Sequence, residues 1–103
     1  MLQDIHRLAE GYMKRFPEGR EPFQMTTRLL EECGEVAAEV SHWQGSRSKR
    51  EKHGEPSKEK LAGEIKQSLA ALMQIVCYYG IENELESSIQ LSLARMKEEG
   101  LFD

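Results

Sequence analysis

Apolar residues recur along the chain at three- and four-residue steps, and no stretch alternates apolar and polar residues for long. That pattern predicts helices and no strands. Leu2, Ile5, Leu8, Ala9, Tyr12 and Met13 mark an amphipathic first helix over about Leu2 to Arg15, ended by the punctuated run Phe16-Pro17-Glu18-Gly19-Arg20-Glu21-Pro22. A second helix runs from about Phe23 to Trp43, with Leu29, Leu30, Cys33, Val36, Ala37, Val40 and Trp43 as its apolar stripe and Gly45 closing it. Ser57 can cap a third, which has Glu59 in its first turn and continues to about Tyr79 before Gly80 stops it. A fourth, about Glu82 to Glu98, repeats Leu85, Ile89, Leu93 and Met96 before Gly100.

The class is therefore all-α, and 103 residues suffice for a single domain, 1–103. Between the second and third helices, Gly45 to Ser57 is a polar, net basic stretch of 13 residues. It exceeds the usual helix connection and reads as a functional or mobile loop. From Leu69 to Tyr79 the third helix is apolar on nearly all sides, more than one neighbour covers in so small a domain, so a homo-oligomer is expected. Leu69 itself is expected in the core.

Composition narrows the partners. Charged residues make up 31% of the chain and apolar ones 39%, too much apolar sequence for a disordered tail and too little for a membrane span. Eighteen acidic against 14 basic side chains give a net charge of −4, which repels a nucleic-acid backbone. The start carries Asp4, Arg7, Glu10, Lys14 and Arg15 rather than a secretory signal, so the expected location is cytoplasmic. Cys33 and Cys77 lie among apolar residues and form no CxxC pair, which predicts buried, reduced thiols.

The candidate chemistry lies in the segment from Arg28 to Val40. At about 100° per residue, Glu31, Glu32, Glu35 and Glu39 fall within a wedge of about 100° bordering the apolar stripe. Such crowding is mildly repulsive, and a hard divalent cation relieves it. On the third helix, Glu64 sits at the margin of a face formed by Leu61, Ile65, Leu69, Leu72 and Val76, with Gln67, Ala71 and Tyr78 on the other side. Glu39 and His42 form one Glu-x-x-His motif, but a carboxylate di-iron bundle needs two, so His42 reads as structural or as lying near the site mouth.

Glu31-Glu32-x-x-Glu35, 28 intervening residues, then Glu64-x-x-Gln67 resembles the EExxE, spacer, ExxD signature of MazG-like nucleotide pyrophosphohydrolases and dimeric dUTPases. The resemblance implies a four-helix MazG-like bundle assembling into a dimer or dimer of dimers. It implies cleavage of a nucleoside triphosphate to a monophosphate and pyrophosphate, with magnesium as cofactor and manganese as the alternative ion. The metal ligands would be Glu32, Glu35 and Glu64, with Gln67 where the family has aspartate, and Glu31 would orient or deprotonate the attacking water. Arg95 stands near the position of a lysine in the family's last helix, and Lys60 is a further phosphate contact. The alternative expectation is a catalytically weak or inactive relative that binds nucleotides or a protein partner, because Gln67 brings no charge and Glu99 stands where the family has a basic residue.

Overall fold

The structure is a computed structural model that describes residues 1–45 and 47–103, and the side chains of all of these except Lys49. It contains α1 (Leu2–Arg15), α2 (Pro22–Trp43), α3 (Arg47–His53), α4 (Lys58–Tyr79) and α5 (Glu82–Glu98), and no strand among the described residues. No described helix is long and apolar enough to cross a membrane.

The four long helices begin and end where the sequence signals stand. Glu21 caps α2 by accepting hydrogen bonds from the amides of Phe23 and Gln24, with Pro22 in the first turn where its missing N–H costs nothing. Ser57 Oγ accepts from the Lys60 amide at 3.0 Å and starts α4. At the other end of α4, Gly80 takes the left-handed conformation (φ 63°). Its N–H donates to the Cys77 carbonyl and that of Ile81 to the Val76 carbonyl, a paired closure that turns the chain sharply into α5.

The stretch read as a loop contains a short helix, α3. Ser46 lies outside the described residues, as does the side chain of Lys49. Arg50 fastens α3 to its surroundings, donating to the Trp43 carbonyl at 3.1 Å and to Glu55 Oε2 at 2.9 Å. His42 Nε2 donates to the Gly54 carbonyl at 2.7 Å, and the His42 and His53 rings meet edge to face. His42 thereby links the end of α2 to the turn after α3.

α1 and α2 both pack on α4, while α5 touches α4 and has no buried residue. Ala9, Met25, Ala70, Ala71 and Met73 form the small core. The result is a slab of 46 × 44 × 21 Å with a Cα radius of gyration of 17.0 Å, against about 13 Å for a compact chain of this length.

Which face of α2 packs inward differs from the expected stripe. Met25, Leu29, Glu32, Val36, Glu39 and Trp43 are buried or half-buried, whereas Cys33 and Ala37 are exposed, together with Leu30 (68%) and Val40 (48%). On α4, likewise, Gln67, Ser68 and Gln74 are half-buried while Ile65, Leu69 and Leu72 are exposed. The small Ala70 and Ala71 between Gln67 and Gln74 leave room for glutamates to face α4. Cys33 is therefore not buried, and Leu69 is not in the core of the chain; Cys77 is half-buried.

His6 ties α1 to α5. Its Nδ1 lies 2.9 Å from Glu10 Oε1 and its Nε2 3.2 Å from Glu82 Oε2. Both nitrogens can donate only when the ring is protonated, so Glu82 and then Glu10 raise the imidazole above its ordinary 6.5, against a smaller opposing effect of burial. The Glu82 backbone N–H, then His6, hold the Glu82 carboxyl below its ordinary 4.5. In the metal-free protein the stability carried by this bridge is full below pH 6.5 on the histidine side and is lost as pH rises through the raised value. On the carboxylate side it is full above pH 4.5 and lost as pH falls through the lowered value. NMR titration of the ring should give a His6 midpoint above that of a free imidazole, and Glu82→Gln should bring it down. A midpoint unmoved by that substitution would refute the bridge.

Candidate functional site

Lys60 Nζ lies 3.1 Å from Glu39 Oε1, and Glu32 and Gln67 line one cavity. These two pairings make α2 and α4 antiparallel and fix their register. Glu35, one turn beyond Glu32, is therefore level with Glu64, one turn before Gln67. The four sequence-predicted ligands thus occupy two adjacent levels of the same helix pair.

The cavity, about 170 Å³, is lined by Tyr12, Phe16, Arg28, Glu32, Gln67, Ala70, Ala71 and Gln74. Glu32, Gln67 and Glu64 are half-buried, and Glu35 is exposed. Oxygen donors from Glu32 and Gln67 suit magnesium or manganese rather than a thiophilic ion. The carboxylates of Glu32, Glu35 and Glu64 are not drawn into one cluster. Among the described residues, the one group of three His, Cys, Asp or Glu ligand atoms within 4.8 Å lies elsewhere, at His6, Cys77 and Glu82.

Glu31 is not in this cavity. It lines a shallow hollow of about 330 Å³ with Phe23, Gln24, Thr27 and Arg28. Arg28 borders both hollows and is the functional candidate that sequence reasoning left unassigned; its signal is a cation one turn before Glu32. Lys60 is taken up by Glu39, which is only 6% exposed. The second Glu39 oxygen is buried with no hydrogen-bond partner among the described residues and has His42 Nδ1 4.0 Å away. Lys60 therefore neutralises a buried carboxylate. Arg95 is exposed on α5 and does not line the cavity. Phe23, Tyr78 and Tyr79 are exposed and Trp43 is half-buried.

With that geometry in place, relatives can be compared. Over 90 aligned residues the chain is 32% identical to the uncharacterized protein YpjD of Bacillus subtilis (strain 168), covering 86% of this chain and 73% of that protein. The chain belongs to the YpjD family. No protein-family model matches the chain, and no solved structure does. The YpjD alignment extends beyond the carboxylate-bearing pair α2 and α4, since those helices have 22 residues each.

Proposed function

We propose that the chain is a subunit of a cytoplasmic, magnesium-dependent nucleoside triphosphate pyrophosphohydrolase of the MazG-like type. One observation supports this reading: Glu32 of α2 and Gln67 of α4 line one cavity, in a helix register that sets Glu35 level with Glu64. Glu32, Glu35, Glu64 and Gln67 would hold magnesium, with manganese as a substitute. The ion would polarise phosphoryl oxygens and offset their charge. Arg28 lies at the same opening to meet remaining phosphate charge. Arg95 and Lys60 are further phosphate contacts in this reading, Lys60 only after exchanging Glu39 for substrate. Glu31, which lines a separate hollow, would orient or deprotonate the attacking water in this reading.

The assembly is proposed to be a homodimer or dimer of dimers in which a second copy closes the four-helix bundle. The exposed surface of 7955 Å² exceeds that of a compact monomer of this mass by about 2,000 Å². A stable interface buries roughly 800 Å² per partner, so the excess is sufficient. The outward stripes Leu30, Val40 on α2 and Ile65, Leu69, Leu72 on α4 supply the apolar contact. Light scattering should give at least twice the chain mass, and a monomer at micromolar concentration would exclude this arrangement.

A second reading, a relative that binds nucleotides with little or no turnover, is favoured by Gln67, which brings an amide to the cavity in place of a charge. Magnesium-dependent release of pyrophosphate from a panel of nucleoside triphosphates separates the two. Nucleotide binding without turnover across the panel would replace the first reading by the second. Gln67→Asp should tighten magnesium binding in calorimetric titration, because it restores a first-shell charge. Unchanged affinity would remove Gln67 from the metal site.

A further inference from the structure

The first turns of α1, the last turn of α4 and the first residue of α5 bring together a second set of donors of different chemistry. His6 Nε2 lies 3.3 Å from Cys77 Sγ and 3.2 Å from Glu82 Oε2, and the three ligand atoms all fall within 4.8 Å of one another. We propose that His6, Cys77 and Glu82 bind a zinc-class divalent cation, at a site separate from the carboxylate cavity of α2 and α4.

The distances suit such an ion. Zinc bonds of about 2.0–2.1 Å to nitrogen, 2.3 Å to sulfur and 2.0–2.2 Å to oxygen in tetrahedral geometry place neighbouring donors about 3.3–3.6 Å apart. The set is also selective. A thiolate with an imidazole favours borderline-soft ions, whereas magnesium prefers oxygen ligands throughout. Thiolate and carboxylate together balance two positive charges with a neutral ring.

The surroundings support the ring in the orientation a metal needs. His6 Nδ1 is 2.9 Å from Glu10 Oε1, so Glu10 accepts its N–H and leaves Nε2 as the donor to the ion, the usual outer-shell partnership of a ligating histidine. The left-handed turn at Gly80 brings Glu82 back beside Cys77. A cavity of about 490 Å³ lined by Met1, Leu2, Met73 and Leu85 opens on His6 and Glu82, which leaves space for water as a fourth ligand. Without the ion, burial and then the charges of Glu82 and Glu10 push the Cys77 thiol up; on binding, the thiol proton and, from a protonated ring, the His6 Nε2 proton pass to solvent. The ion fastens α5, which has no buried residue, to α1 and α4.

Cobalt(II) is the probe. Chelator-treated protein titrated with cobalt(II) should develop a thiolate-to-cobalt charge-transfer absorption at one equivalent per chain, and added zinc should abolish it. Cys77→Ser should lose the band, Cys33→Ser should keep it, and Glu10→Gln should weaken affinity about 10–100-fold. In wild-type protein, zinc should shift the ring signals of His6 and leave those of His42 and His53 in place, a readout that needs no variant to fold. The proposal fails if no band forms, if the band survives Cys77→Ser, or if His42 or His53 responds in place of His6.

Discussion

On the proposed pyrophosphohydrolase reading, Glu32→Gln is expected to lower magnesium-dependent pyrophosphate release by about 10²–10³-fold, the scale on which removing one well-placed electrostatic stabiliser acts, without lowering the thermal midpoint. Glutamine has the same length and shape, so the packing of α2 on α4 is preserved. What disappears is the charge on the one carboxylate that lines the cavity. Its loss also relieves repulsion from Glu35, three residues away on the same helix, by a few tenths of a kcal/mol, which is why stability should hold or rise slightly. Partial recovery at high magnesium would place the defect in ion binding. A coupled pyrophosphate assay alongside calorimetric magnesium titration measures both effects, and an unchanged rate at saturating substrate would remove Glu32 from the reaction. Glu31→Gln, whose side chain sits in the neighbouring hollow, should leave magnesium affinity unaffected.

The second large effect is on folding. Met73 is 5% exposed and is one of the few sizeable side chains in the core, so Met73→Ala should cost about 2–5 kcal/mol. In a domain whose total stability is about 5–15 kcal/mol, that is a severe loss. Leu69→Ala, four residues earlier, removes a similar volume from an exposed position. Within one chain it should cost little, and its main effect should be on association. Urea unfolding at several protein concentrations distinguishes them: the Met73→Ala deficit should be much the same at all concentrations, whereas any Leu69→Ala deficit should grow with assembly. Equal, concentration-independent losses would place Leu69 in the core after all.

The positions of the four long helices were legible in the sequence because caps are local. Glu21-Pro22 opens α2, and Ser57 and Gly80 bound α4, each acting on amides or carbonyls within a few residues. α3 was not legible: seven mostly charged residues carry no apolar period, and the helix is held by Arg50 reaching Trp43 and Glu55. The inward faces were hidden for a different reason. α2 carries two apolar lines side by side, and its own periodicity does not say which one meets α4. That choice goes with Lys60 reaching the buried Glu39 from the surface and with the small, buried Ala70 and Ala71, all residues of another helix. Glu32 on α2 and Gln67 on α4 line one cavity, whereas Glu31, adjacent to Glu32 in sequence, opens on a different hollow. His6 and Cys77 are 71 residues apart, and nothing local links them.

The outward leucines of α4 and the open slab have a consequence for the newly made chain. Under the proposed assembly, a finished but solitary subunit would present this adhesive face before it meets a mate. The time spent alone varies inversely with concentration, and weak expression prolongs it. Yield on production should therefore respond to the rate of synthesis as much as to temperature, and a tandem fusion of two copies should shorten the vulnerable interval.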